Sequence, residues 1–390
     1  MIIAFHCFYV QRCRTSYLNP RCVTISSSTI WRYKMQIDGH HTLTYVVARF
    51  AGISHHNAEI VAYSAQYVDE ATNDKPIFFD NGAMFDRIVS AHKMLDYRNT
   101  QELANHLVWI PFHFLPGNQG LPWDITPDGS FIHRLVCKPD SYVARDMLHM
   151  VATHWDKPFA AHLMGIAMHV YADTFAHQGF AGVIHDYNIV NELDSSSTST
   201  LEGIKDRLMS QGISSASPLG HGAALSFPDR PYASWSYING EGLPVKRNNT
   251  AIYLDAANAM CKVLQCWNSG DTQINVDEQP GLTSEQYSII EQTFLELDDD
   301  DGHARHAKWI KKLQQGSFGF EPVNLSFDKD GSNSWKVIAR GHGSIEDDKV
   351  VYHYTDDFLH SDWKKFHDAL KTYRLELIRD ILPRYGICVA

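Results

Sequence analysis

Between Asp156 and Gly182 the chain reads DKPFAAHLMGIAMHVYADTFAHQGFAG, and no other stretch limits its folding as strongly. From Ala160 to Phe180 the only formally charged side chain is Asp173, and apolar residues surround the whole helical circumference. A helix apolar on every side belongs inside a fold rather than on its surface. Asp156 as N-cap and Pro158 in the first turn predict where it starts. Yet His162, His169, Asp173 and His177 follow one another at spacings of seven, four and four residues, which puts them on one face. Burying an unpaired carboxylate costs several kcal/mol. Asp173 therefore needs a histidine partner that orders the core, or a divalent cation that the face holds jointly. Several ligating side chains in one register on an apolar helix favour the cation.

Histidine is abundant elsewhere too: 22 residues, against 10 Met and 15 Pro. Most lie in charged sequence and read as surface residues, including those near 303–306, 342, 353, 360 and 367. A few sit in apolar or constrained settings, where further ligands are expected. Asp38 and His40, in IDGHH, alternate along what reads as an extended segment, with His41 a close second that the sequence does not separate from His40. Asp69 continues the small-residue face Ala58–Ala62–Ala65 of its helix, so it points inward. His113 is flanked by Phe112 and Phe114. His221 stands between two glycines, with Asp229 following between Pro228 and Arg230.

The rest of the sequence reads as mainly α. Helical periodicity covers 42–73, broken at Gly52 with Ser54 as a cap, then 82–110, 141–153, 157–177, 201–210, 249–267, 283–297, 303–315 and 357–383. Residues 335–353 read as one small β-hairpin near the C-terminus, and the intervening stretches as long ordered loops. The acidic run Asp298–Asp301 reads as a solvated turn. The expected fold is a helical bundle with a metal cluster on its central helices. Residues 1–34 form an atypical arm before Met35, 35–270 a helical metal-binding domain, and 271–390 a helical extension packed on it. Seven cysteines without a CxxC pair suit a reducing compartment. The N-terminus lacks the features of a Sec signal peptide, and no apolar stretch approaches ~20 residues. A cytoplasmic protein, or one exported without a Sec signal, is expected.

The helix GIAMHVYADTFAH resembles the signature helix of the zinc-dependent phospholipase C and single-strand nuclease superfamily. The order of candidate ligands, from His40 or His41 through Asp69, His113, His169 and Asp173 to His177 and His221, is similar as well. The blocks IDGHHTLTY, AQYVDEAT, FHFLP and GIAMHVYADTFAHQGFAG also resemble a bacterial family of unknown function over roughly residues 35–270. The superfamily resemblance implies an all-helical protein with one to three zinc ions, a water activated by the cluster, and cleavage of a phosphoester. On this reading His169, Asp173, His113 and Asp69 are expected to build one metal position and His177 and His221 to contribute to a neighbouring one, with Asp69 bridging ions or acting as general base. Arg230 and Arg247 are then the candidates to hold a substrate phosphate. The sequence departs from that pattern where His177 follows Asp173 by only four residues and no acid follows His221 by four, leaving Asp229 as the substitute.

A net charge of −11 and no basic patch argue against long nucleic acid as a partner. The aromatics Tyr232, Trp235 and Tyr237 near His221 suit a lipid or a stacked base, so the expected substrate is a phospholipid first and a nucleotide second. Mixed His and carboxylate ligation suits zinc, with iron or manganese as other options. Two other readings compete: an HD-type nucleotide phosphohydrolase built on His185-Asp186, and a non-catalytic, metal-stabilised interaction or effector protein.

Overall fold

The computed structural model describes residues 36–92, 106–195, 206, 208–212, 214, 219–346 and 349–388. The arm before Met35, Met35 itself, and parts of the helices expected over 82–110 and 201–210 lie outside these residues. The described chain is mostly helical. A π-type turn, Asp38–Leu43, leads into α1 (Thr44–Phe50) and then α2 (His55–Glu70). Short helices α3 (Trp109–Phe112) and α4 (Ile132–Leu135) precede α5 (Tyr142–Ala152) and α6 (Ala160–Ala176). Then come α7 (Asn249–Ser269), α8 (Ser284–Glu296), α9 (Gly302–Gln314), α10 (Trp335–Arg340) and α11 (Asp362–Glu376).

Local chemistry sets most of these boundaries. The hydroxyls of Ser54, Ser141 and Ser361 accept the amides of Asn57, Ala144 and Lys364, and the Asn248 side chain accepts that of Ala251. Each such cap satisfies an amide that the first turn of the helix leaves open. Thr283 and Gln286 complete a reciprocal capping box at α8. At the far end of α7, Gly270 takes the left-handed conformation that ends a helix at low cost.

Helix α6 is central. Every residue from His162 to Ala176 is buried, and α2, α5, α7 and α11 all pack against it. The closest approach is to α2 and depends on Gly165. A Cβ there would stand 2.4 Å from the Val61 carbonyl oxygen and 2.6 Å from the Ser64 Cβ. Ala58, Ala62, Ala65 and Asp69 of α2 are all buried, and so are Val61 and Ser64, which meet α6 at Gly165. One hydrophobic cluster runs from Leu43 to Ile387, so side chains on either side of residue 270 share a core.

Several elements differ from the sequence expectations. Strand is not confined to a C-terminal hairpin. Strands β1 (Ile77–Phe79) and β2 (Met84–Phe85) join β6 (Ser344–Glu346) and β7 (Lys349–Tyr352) in a sheet of order β2-β1-β7-β6, where β1 and β7 run parallel. Strands β3 (Asn191–Ser195), β4 (Ser234–Ile238) and β5 (Pro244–Asn248) form a second, antiparallel sheet. The Asn81-Gly82 turn pairs Ile77 with Phe85, which overrides the helical period expected from residue 82. The alternation of buried Trp235 and Tyr237 with their neighbours marks β4 in a region that reads as loop.

Other departures are smaller. Trp335–Arg340 is helical because Ser334 caps it, so the hairpin spans only 344–352. Asp156 does not cap α6: turns occupy 154–157, and the helix begins at Ala160 without a side-chain cap. The Asp38–His40 segment is a helical turn rather than extended, so its two side chains diverge. Among the described residues the cysteines are free thiols. No helix among them is long and apolar enough to cross a membrane.

Candidate metal centre

Eight of the ten sequence-predicted ligands meet in three buried groups, the first two sharing His169: His40, Asp69 and His169; His113, His169 and Asp173; and His177, His221 and Asp229. Within each group the ligating atoms lie within 4.8 Å of one another. They come from six segments: the π-type turn before α1 (His40), the last turn of α2 (Asp69), the residue after α3 (His113), α6 with its C-cap (His169, Asp173, His177), and two loop positions before α7 (His221, Asp229).

Asp173 is the junction. Its Oδ2 lies 3.3 Å from His113 Nδ1, 3.3 Å from His169 Nε2 and 3.7 Å from His177 Nδ1, while its Oδ1 lies 3.3 Å from His40 Nε2. His113 Nδ1 and His169 Nε2 are 3.2 Å apart, and the His40 ring stacks on that of His169 at 3.7 Å between centroids. On the far side His177 Nε2 and His221 Nε2 approach Asp229 Oδ1 at 3.6 and 3.8 Å. Donors held ~2.0–2.1 Å from one tetrahedral ion stand roughly 3.3 Å from each other, so these spacings suit N/O ligation of a metal.

The proton positions point the same way. A carbonyl oxygen only accepts, so a ring nitrogen bonded to one carries the hydrogen. His113 Nε2 donates to the Ser90 carbonyl at 2.9 Å and His169 Nδ1 to that of Ala65 at 2.7 Å. His177 Nδ1 donates to the His113 carbonyl at 2.8 Å and His221 Nδ1 to that of Leu225 at 3.1 Å. In each ring the other nitrogen then faces the cluster. This is how outer hydrogen bonds orient metal-ligating histidines. Leu225 takes φ 57°, ψ −137° just before Ser226, a conformation that costs about 1–3 kcal/mol in a non-glycine residue.

Asp229 tests whether the residues suit a cation. Among the described residues neither of its oxygens has a hydrogen bond, nor does His177 Nε2, although all three atoms are buried. Burial pushes the Asp229 carboxyl up to about 7, with nearby Asp69 raising it and His221 and Arg305 opposing. Burial pushes His221 down to about 4, so its ring is neutral near pH 7. In its ionised form such a dry carboxylate needs positive charge beside it, which a bound cation would supply. The buried His/Asp groups can hold a metal ion.

Four sequence candidates are engaged elsewhere. Asp38 Oδ2 and Oδ1 accept from Arg305 Nε at 2.6 Å and Nη2 at 3.0 Å. His41 Nδ1 pairs with His306 Nε2 at 2.9 Å. Arg247 donates to the carbonyls of Ala176 and Gln178, each at 2.8 Å, and so places positive charge at the C-terminus of α6. Arg230 lies over the Phe227 ring, bonds Ser226 Oγ and pairs with Asp300 at 2.8 Å. Trp235 and Tyr237 are core side chains, and the Tyr232 hydroxyl donates to Asp300. His162 leaves the ligand face to meet Asp362 at 3.1 Å. His185 and Asp186 are exposed, and His185 Nδ1 accepts the Tyr187 amide locally.

Arg305, His306 and His367 stand against the surface reading of their regions. Arg305 and His367 are buried, and His306 is partly so. For Arg305 the signal was present: with Gly302, Trp309 and Leu313 it forms the buried stripe of α9. The supporting carbonyls of Ala65, Ser90 and Leu225 carry no sequence signal, because every residue has a carbonyl.

No curated protein and no solved structure matches the chain. Over residues 35–381, and so through the helices beyond residue 270, the chain belongs to a family of unknown function, DUF6765.

Proposed function

We propose that the chain is a metal-dependent hydrolase of phosphoester bonds, with zinc as its ion and chemistry like that of phospholipase C. The observation that carries this reading is the adjoining of two ligand sets across Asp173 and His177, each built from nitrogen and carboxylate donors. Divalent ions bound side by side acidify a water and draw charge from an oxygen leaving phosphorus. His113, His169, His177 and His221 are oriented for ligation by their carbonyl partners, and Asp173 joins the two sets. Asp69 shares the group with His40 and His169, and its charge reaches Asp229. That position suits a carboxylate that accepts the proton released at the site. Phospholipid is the first substrate class to try and nucleotide the second. Arg230 and Arg247 are engaged with Asp300 and the α6 terminus, so the ligand cluster itself is the first place to look for phosphate binding.

The depth of the cluster favours a second reading, a purely structural metal, because closed sites characterise structural ions. Elemental analysis with an activity assay separates the two. The purified protein is expected to carry stoichiometric zinc, which His169→Ala and Asp173→Ala lose. It is also expected to hydrolyse bis(p-nitrophenyl) phosphate, with loss on chelation and recovery on zinc addition. Zinc without turnover on that ester, phospholipids or nucleotides leaves the structural reading. A metal-free protein of full helicity overturns both.

A further inference from the structure

Helix α9 brings to the flank of the ligand cluster a fixed positive charge that the proposed hydrolysis does not use. The Arg305 side chain is 1% exposed, and its partner Asp38 is 2% exposed. Arg305 Nε and Nη2 engage both oxygens of Asp38, two residues before His40 in the same π-type turn. Its Nη2 also reaches the main-chain carbonyl of Asp229 at 3.3 Å. Its Nη1 donates to the Asp299 carbonyl at 2.5 Å, and Nη2 further engages Gln36 Oε1 at 2.9 Å. The Tyr232 ring lies on one side of the guanidinium, 5.7 Å from its carbon.

One planar fork thus touches both a segment that presents His40 to Asp173 and the backbone of Asp229. These are opposite ends of the ligand cluster and are far apart in sequence. An ion pair that only fastened α9 to the rest of the molecule would have no reason to include the Asp229 carbonyl. An ammonium at the same place is a point charge and cannot span these acceptors in a plane. The positive charge near the Asp229 carboxylate also opposes the build-up of negative charge among the ligands without occupying a ligand's lone pair.

We propose that Arg305 is a positioning residue of the metal centre, a strut from α9 that sets the separation and aim of His40 and Asp229. This rests on the metal reading above and adds a role for the C-terminal part of the chain in the site. The ion pair is best removed as a unit, because deleting one partner leaves a lone buried charge. Asp38→Leu/Arg305→Met does so with apolar side chains. Arg305→Lys keeps the charge and loses the fork.

The readouts are zinc affinity, by competition with a chromophoric chelator, and the visible absorption of the cobalt(II)-substituted protein, which follows ligand geometry. The double variant should keep the far-ultraviolet circular dichroism of the unmodified protein while zinc binding weakens ~10–100-fold, the range for loss of an outer-shell partner. Its cobalt bands should shift or weaken. Arg305→Lys should fall between the two proteins in both measurements. Folded variants with unchanged zinc affinity and unchanged cobalt bands overturn the proposal. If the double variant does not fold, Arg305→Lys decides by the same criterion. Failure of the unmodified protein to bind zinc or cobalt overturns the metal reading itself and this proposal with it, and that result is distinct because it is read without any substitution.

Discussion

At the scale of single residues, Asp229 concentrates the tension in the site. Its carboxyl is pushed up to about 7 by burial, and neither oxygen has a hydrogen bond among the described residues. A carboxyl whose folded pKa is raised contributes stability at pH values below its unfolded pKa and loses it as pH rises through the folded value. At pH 8 the metal-free protein therefore carries a destabilising charge. Asp229→Asn should stabilise that form by roughly 1–2 kcal/mol, since it removes the charge but leaves a polar group to satisfy. Saturating zinc should reverse the order, because the ion stabilises the native state in proportion to its affinity and Asn is the poorer ligand. Thermal melts with chelator and with zinc check both signs. A variant that remains the more stable protein in saturating zinc would count against Asp229 as a ligand, and one less stable than the parent with chelator would count against the destabilising charge.

Residue placement also shows what the sequence could carry. Spacing along one helix places His169, Asp173 and His177 together, and a small-residue face turns Asp69 inward. Both deductions need only the helical repeat. Separating His40 from His41 needs the turn geometry before α1, and that depends on Arg305 holding Asp38 from a helix far along the chain. Reading the segment as extended puts Asp38 and His40 on one side. The π-type turn sends Asp38 to Arg305 and His40 to Asp173.

At the scale of elements, the meeting of α2 and α6 is the structural core of the site. Helices carrying ordinary side chains at a contact pack with axes 8–10 Å apart. The absent Cβ at Gly165 lets the Val61 turn of α2 come closer. Farther along the same contact, His169 Nδ1 meets the Ala65 carbonyl. Gly165→Ala gains helix propensity of up to ~1 kcal/mol yet forces a methyl group against backbone. Overpacking of this kind costs about 1–3 kcal/mol. The variant should lower the thermal midpoint by several degrees and weaken zinc binding together, because the displacement reaches the ligands. A melt unchanged by the added methyl would mean that the two helices are not in close contact. Helix existence was legible here from caps and period. The strands were less so, because a short run such as Ile77–Phe79 takes its pairing from β7, at the other end of the chain.

At the scale of the molecule, buried neutral histidines set the response to acid. Burial lowers His41 and His162, pushes His306 to about 4, and pushes His367 to about 3. His367 packs among Phe85, Trp363 and Phe366 and accepts the Ile88 amide at 3.4 Å. A histidine with a depressed folded pKa binds fewer protons in the native state than in the unfolded chain, so stability falls as pH drops below about 6.5. His367 alone contributes a slope of about 1.4 kcal/mol per pH unit over that window. Urea midpoints should decrease steadily from pH 7 to pH 5 in the presence of chelator. His367→Gln should remove about one proton's worth of that slope. An unaltered slope in the variant would show that this ring is not held neutral.

The ligands are gathered from His40 to Asp229, and the strut that braces them follows at Arg305. A cation bound there joins distant stretches of chain as a covalent cross-link would, closing several long loops at once. Folding must close those loops before the ion can bind, at an entropic cost that grows only slowly with loop length. The contacts are also ones that no early fragment of the chain can make. During synthesis the first ligands leave the ribosome well before Asp229 and Arg305 exist, so the complete coordination set forms only once most of the polypeptide is present. Acquisition of the ion is thereby tied to the end of folding, and a shortened chain keeps the histidine-rich helix without the site that gives it purpose.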